Sequence, residues 1–220
     1  MNIVAILTLS LQLTLQLIES ESWTHGRQAM EDFVDEARRL LDEILQSLAK
    51  ALMLDEQSFI RHLGPSDSVI NVRVNCYPPC PRPDLALGLN PHTDGSLLSL
   101  IVQFDSKDGL EVLRDGRWVR IPAPPGSLLI GVGDLLEIMS NGSFESPWHR
   151  VVPHKDWERL SVTLFYYPPF KEEIGPVDGD GSSLLGEPRY KKVVVEDYVQ
   201  HYYKVSPTKE KQAVLYAKLS

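Results

Sequence analysis

Histidine and aspartate at short spacing are the residues best able to hold a metal, and this sequence offers two such pairs, His92-Thr93-Asp94 and His154-Lys155-Asp156. In a chain with 30 acidic residues a His-x-Asp tripeptide arises by chance, so the surroundings must choose between the pairs. His92-x-Asp94 leads into a β-prone run over residues 96–103. Along a strand, residues two apart project from one face, so an imidazole and a carboxylate at that spacing can reach one ion from one side. His149, just before Arg150-Val151-Val152, offers a third donor from another β run. The second pair sits in the polar stretch His154-Lys155-Asp156-Trp157-Glu158, and only His201, in a helical tail, could complete it. His92, Asp94 and His149 are therefore the expected metal ligands. His154 reads as a solvated loop residue, and His25, His62 and His201 as surface or capping residues. Two histidines and one carboxylate on one face leave three coordination positions open, which suits non-haem Fe(II) oxygenases that bind O2 beside a co-substrate.

Ten residues after His149 comes Arg159-Leu160-Ser161. In a strand Arg159 and Ser161 share a face, and a guanidinium with a neighbouring hydroxyl matches a carboxylate. On its own the tripeptide is an ordinary surface ion-pair candidate; its position after a metal ligand suggests an anchor for the far carboxylate of a dicarboxylic co-substrate. The same face continues through Thr163, Phe165 and Tyr167, while Leu160, Val162 and Leu164 form an aliphatic opposite face. Phe165 and Tyr167 are candidate walls of a substrate pocket for a planar or fused-ring molecule, the blander reading being that both rings only fill core.

These residues need a scaffold, and the patterning supplies one. Residues 27–52 repeat apolar side chains at three- and four-residue steps (Phe33, Val34, Ala37, Leu40, Leu41, Ile44, Leu45, Leu48), which predicts an amphipathic helix with Glu and Asp crowding its first turns. From Ser68 onward short β runs alternate with Gly and Pro turns: 69–74, 96–103, 110–113, 118–121, 127–132, 149–152 and 161–167. Asp115-Gly116 between two of them predicts a tight hairpin. Leu7, Leu9, Leu11, Leu13, Leu15 and Leu17 alternate with polar residues, which predicts a further strand rather than a signal peptide or membrane span. Residues 196–203 and 207–215 read as peripheral helix. The expected fold is mainly β, a sandwich or barrel braced by helices, organised as 1–66 (strand and long helix), 67–170 (core) and 171–220 (helical tail).

Composition narrows the function. With 43 % apolar residues over 220 the chain can bury a core of its own. A net charge of -8 without a basic block argues against nucleic acid and against anionic membranes as partners. Cys76 and Cys80, in one Pro-rich turn, form neither a disulfide framework nor a zinc site, which fits a reducing, cytoplasmic setting. Asn141-Gly142-Ser143 matches a glycosylation acceptor but is more simply an Asn-Gly turn.

The ordered set Asn75-Cys76-Tyr77-Pro78-Pro79-Cys80-Pro81, Asn90-Pro91-His92-Thr93-Asp94, Gly133-Asp134, Ser140-Asn141-Gly142, Trp148-His149-Arg150-Val151-Val152 and Arg159-Leu160-Ser161 resembles the plant 2-oxoglutarate-dependent dioxygenases. That group contains flavonol and anthocyanidin synthases, gibberellin oxidases and alkaloid demethylases, and the resemblance runs from about residue 27 to about 205. It implies a double-stranded β-helix, or jelly-roll, core. His92, Asp94 and His149 match the family's iron ligands, Arg159 and Ser161 its anchor for the 2-oxoglutarate C5 carboxylate, and Asn75 and Tyr77 residues that help hold the co-substrate. It further implies Fe(II), 2-oxoglutarate and O2, with ascorbate as reductant, and a monomer that hydroxylates, demethylates or desaturates a small plant specialised metabolite or hormone with release of succinate and CO2. The region before the helix is shorter than the family's usual pattern, and Cys76 stands where an aromatic is common. Two alternatives follow: a shortened member that binds metal without efficient turnover, or a cupin-like binding protein. Arg159-x-Ser161 speaks against the second, since a binding barrel needs no co-substrate anchor.

Overall fold

The structure is a computed structural model, which describes residues 6–10, 23–64, 67–104, 108–177, 185–205 and 213–219. Two antiparallel sheets form its centre. The larger contains β1 (Ile6–Ser10), β2 (Val69–Tyr77), β4 (Leu98–Gln103), β7 (Ser127–Val132) and β9 (Arg159–Tyr167), in the order β1-β7-β4-β9-β2. The smaller contains β3 (Leu89–His92), β5 (Leu110–Arg114), β6 (Arg117–Arg120) and β8 (His149–Val151), in the order β3-β8-β5-β6. The chain passes back and forth between the sheets, and Leu110 and Val151 of the smaller meet Tyr77 and Leu129 of the larger in an apolar layer between them. This is the expected double-stranded β-helix. A short pair, β10 (Glu173–Ile174) with β11 (Val193–Val194), lies outside it. The alternating run around Leu7 forms β1 as far as Ser10; its remainder lies outside the described residues.

Turn chemistry behaves as the residues dictate. Asp115 and Gly116 both take left-handed backbone angles, φ 50° and 73°, and close β5 onto β6 with Arg114 opposite Arg117. Asn141 and Gly142 do the same at 52° and 76°, and Asn141 is buried rather than displayed. Its amide donates to the carbonyls of Leu185 and Glu187 and its oxygen accepts from the Arg189 N–H. The glycosylation motif is thus a structural clamp.

The long helix α1 spans Trp23–Ala51 and starts before the expected Arg27. Its first turn consequently holds no acidic residue, contrary to expectation; Glu31 and Glu36 lie further along, paired with Arg27 and Arg39. The face formed by Ala37, Leu41, Ile44, Leu45 and Ala49 is buried and joins the same apolar core as Leu164 on β9. Tyr166 of β9 reaches Asp42 of the helix, its hydroxyl donating at 2.7 Å. Truncating fully buried Leu45 to Ala costs about 2–5 kcal/mol.

β3, β10 and β11 correspond to no expected β run, and two further elements depart from the sequence reading. α2 (Asp134–Met139) was not foreseen, because all six of its residues are buried and it shows no amphipathic period. The C-terminal segment is not peripheral. In α3 (Val195–Val205) Val195 and Tyr198 are fully buried, and after residues outside the description Ala213, Val214 and Ala217 are buried too, around a 3-10 turn at Ala213–Tyr216. Among the described residues no helix is long and apolar enough to cross a membrane.

Candidate metal centre and active-site cavity

His92 ends β3 and His149 opens β8, and the two are direct cross-strand partners. Their rings lie 4.2 Å apart between centroids. Asp94 is not on a strand beside His92, contrary to the expectation from spacing. It lies in the crossover where the chain leaves the smaller sheet for β4 of the larger. The crossover curls under the histidines, so Asp94 Oδ1 sits 3.7 Å from His92 Nε2 and 3.5 Å from His149 Nε2. Gly133 permits this path: a Cβ there would stand 2.0 Å from the Ser96 carbonyl oxygen.

The histidine tautomers follow from their partners. His92 Nδ1 meets the Asn90 carbonyl at 2.8 Å and His149 Nδ1 meets the Pro147 carbonyl at 3.1 Å. A carbonyl oxygen only accepts, so each Nδ1 carries its proton and each Nε2 turns a lone pair toward Asp94. Burial pushes the His92 pKa down to about 4, with His149 acting in the same direction and Asp94 opposing, so its imidazole is neutral, the form that binds metals. One donor atom from each of His92, Asp94 and His149 lies within 4.8 Å of the others. Among the described residues this is the group of three or more His, Cys, Asp or Glu side chains that could hold an ion, and its N2O donor set fits a divalent transition metal bound from one side. His154 stacks on Trp157 away from this cluster, His201 stacks on Tyr216 and His62 pairs with Glu172 at 2.9 Å.

Strands β2 and β9 carry the other candidates in register. Tyr77 faces Arg159, Asn75 faces Ser161, Arg73 faces Thr163 and Asn71 faces Phe165. Directly opposed residues share a side of the sheet, so these pairs line one inner face. Arg159 is buried, donates from Nε to Gln103 Oε1 at 2.8 Å and from Nη1 to Ser161 Oγ at 3.3 Å, and lies over the Tyr77 ring at 5.2 Å. An arginine accepts nothing, so the Gln103 oxygen must face it, leaving the buried Gln103 Nε2 as a donor without a partner. A cation and a hydroxyl meet there, beside a glutamine with an unpartnered amide N–H, groups suited to a carboxylate. Gln103 was not singled out from sequence, because an unremarkable strand-end glutamine gives no signal. Cys76, in β2 rather than a turn, alternates with Asn75 and Tyr77 and donates to Glu158 at 3.2 Å.

A cavity of about 540 Å³ opens beside His92. His92 and Asp94 form one wall and Phe165 and Tyr167 another, and Arg73, Tyr202 and Tyr203 are among the other residues that line it. Tyr202 and Tyr203 come from α3, so the C-terminal segment builds part of the site. The Tyr202 hydroxyl donates to the Thr93 carbonyl at 2.9 Å. Behind the ligand loop lies a buried acidic cluster. The Asp134 N–H donates to the Asp94 carbonyl at 2.7 Å, and Asp134 Oδ2 accepts from Tyr198 at 2.7 Å and Thr93 at 3.3 Å. Full burial raises the Asp134 pKa to about 7, Tyr198 opposing. Glu137 accepts from Tyr190 and from the Ser146 N–H, both at 2.7 Å.

Fold and site together define a jelly-roll with a two-histidine, one-carboxylate centre, and comparison with known proteins agrees. Residues 67–168 match the 2OG-Fe(II) oxygenase superfamily. It is 38 % identical over 176 residues to a flavonol synthase/flavanone 3-hydroxylase of Petunia hybrida, covering 79 % of this chain and 49 % of the relative. It is 34 % identical over 185 residues to 1-aminocyclopropane-1-carboxylate oxidase 5 of Arabidopsis thaliana, covering 80 % and 59 %. A crystal structure of JOX2 in complex with 2OG, Fe and JA superposes with TM-score 0.82 at 28 % identity, over 98 % of this chain and 64 % of that one. The chain spans about half the length of the curated relatives it matches.

Proposed function

We propose that this chain acts as an Fe(II)- and 2-oxoglutarate-dependent oxygenase on a small ring-bearing metabolite. The observation that carries the reading is the convergence of two Nε2 lone pairs on Asp94 Oδ1, at 3.7 and 3.5 Å, on the wall of an open cavity. His92, Asp94 and His149 would hold the iron. Bound together, iron, 2-oxoglutarate and O2 supply the oxidising power that breaks an unactivated C–H bond, with release of succinate and CO2. The protein's own residues supply orientation. The Asn90 and Pro147 carbonyls fix the ring tautomers, so the ligating nitrogens need no reorientation. Arg159, Ser161 and Gln103 Nε2 would take the far carboxylate of 2-oxoglutarate, and Asn75 and Tyr77, opposite them on β2, would flank it. Phe165 and Tyr167 would seat the primary substrate against His92 and keep water from the reacting bond. Hydroxylation, demethylation and desaturation are all within this chemistry. The relatives above act, by their names, on flavonoids and on 1-aminocyclopropane-1-carboxylate, so the family alone does not select the substrate; the aromatic wall favours a ring compound.

Anaerobic titration with Fe(II) and then 2-oxoglutarate tests the reading. A visible charge-transfer band, and succinate formation once O2 is admitted, is expected. Iron binding without that band or succinate would instead support a metal-binding member without turnover.

A further inference from the structure

Resting on the reading of His92, Asp94 and His149 as a metal centre, we propose that Ser99 is a positioning residue for Asp94, acting through one buried water in a second, smaller cavity beside the triad. That cavity measures about 20 Å³ and has Asp94 and His149 in its wall. It reaches Ser99 and Ile101 of β4 and Leu129 of β7, whereas the larger cavity reaches Phe165 of β9 and Arg73 of β2. Asp94 borders both and stands between them. With Ile101 and Leu129, Leu110 and Val112 of the smaller sheet make the small cavity mainly apolar. Its volume exceeds the roughly 10–15 Å³ that one water needs.

The polar side of this cavity is built from few groups. Ser99 faces Gly131 across the β4–β7 ladder. A Cβ on Gly131 would stand 2.6 Å from Ser99 Oγ and 4.0 Å from Asp94 Oδ2, so the hydroxyl and the carboxylate oxygen border one small space that glycine keeps open. Ser99 is 1 % exposed, and its hydroxyl has no hydrogen-bond partner among the described residues, Asp94 included. A buried hydroxyl left without a partner is costly. One water satisfies both groups, accepting from Ser99 Oγ and donating to Asp94 Oδ2. The consequence lies in the other carboxylate oxygen. Asp94 Oδ1 is the atom turned to the histidines, 3.7 Å from His92 Nε2 and 3.5 Å from His149 Nε2. A hydrogen bond on Oδ2 holds that rotation, so Oδ1 alone faces the ion. Without it the carboxylate is free to turn and offer both oxygens, taking one of the coordination positions that co-substrate and O2 must share.

Crystal structures of the parent, without metal and with Co(II), test the site directly: one water is expected within hydrogen-bond reach of Ser99 Oγ and Asp94 Oδ2, and xenon under pressure is expected to stay out. Ser99→Ala should lose the water, raise the Co(II) dissociation constant about tenfold or more, as loss of an outer-shell partner does, and alter the visible d–d spectrum of the bound ion. Gly131→Ala puts a methyl group where the water sits, and Ser99→Ala removes the oxygen that this methyl would strike. The double variant should therefore bind Co(II) no more weakly than Ser99→Ala alone, because one water cannot be lost twice. Xenon in place of water, a Ser99→Ala protein with the parent's Co(II) affinity and spectrum, or additive losses in the double variant each overturn the inference. If the parent binds no Co(II), the metal-centre reading fails, while the water in the metal-free crystal and its loss from Ser99→Ala still decide whether Ser99 holds Asp94.

Discussion

Replacing Tyr198 by Phe removes one hydroxyl from a fully buried position and should weaken both the fold and the metal centre. That hydroxyl donates to Asp134 Oδ2 at 2.7 Å. Without it, Asp134 Oδ2 keeps the longer contact from Thr93 at 3.3 Å, and Oδ1 already has no close partner. A hydrogen bond to a charged acceptor contributes about 1.5–3 kcal/mol, and a buried carboxylate left half-satisfied loses that in full. For a domain of this size each kcal/mol moves the Tm by about 2–4 °C, so Tyr198→Phe should melt about 3–12 °C lower. The measurement belongs at pH 8, above the pKa of about 7 to which burial raises Asp134, where the carboxylate is charged. Thr93 precedes a proposed ligand, so the dissociation constant for Co(II), a redox-stable substitute for iron, should rise by about tenfold. A Tm within about 1 °C of the parent, given the scaling above, together with unchanged Co(II) affinity, would refute the view that α3 braces the ligand loop.

Alanine at His92, Asp94 or His149 should abolish Co(II) binding and succinate formation, whereas His154→Ala should bind metal like the parent; equal loss from His154→Ala would point to the wrong histidine frame. Arg159→Lys should raise the 2-oxoglutarate dissociation constant about 10–100-fold without altering metal affinity, because a point charge cannot copy the guanidinium fork, and unchanged binding would remove Arg159 as anchor. Phe165→Ala should weaken binding of ring compounds by more than the aromatic contribution of about 0.5–1.5 kcal/mol, leaving metal and 2-oxoglutarate in place; better turnover of aliphatic amino acids than of ring compounds contradicts the proposed wall. Gly133→Ala should cost about 3 kcal/mol or more in urea unfolding, since its Cβ would stand 2.0 Å from a backbone oxygen, and a near-normal midpoint would show that the crossover yields easily.

The sequence exposed what periodicity and local spacing encode. The β runs from residue 69 to 167 appear nearly where expected, because each is a short apolar stretch bounded by turn residues. His92, Asp94 and His149 are brought together, although the strand argument for Asp94 was wrong: the carboxylate arrives by a crossover between sheets, which no local rule describes. Tyr202, Tyr203 and Arg73 escaped notice because their place in the cavity depends on how α3 and β2 dock against the sheets. The pairing of Tyr198 with Asp134 escaped for a related reason, as a helix tyrosine and a carboxylate 64 residues apart carry no mark that they will meet in a buried pair.

The strand order has a dynamic consequence. β9 lies inside the larger sheet between β4 and β2, whereas β2 has β9 as its neighbour on one side and no strand on the other among the described residues. Ladder bonds hold β9 from both sides and β2 from one, so the amides of β2 should exchange with deuterium earlier than those of β9. The inner face is therefore asymmetric in stiffness: Arg159 and Ser161 stand on the immobile half, Arg73, Asn75 and Tyr77 on the half that frays. Fraying of β2 would open the anion cradle sideways while its anchor stays in place, a route by which co-substrate can enter and spent product leave.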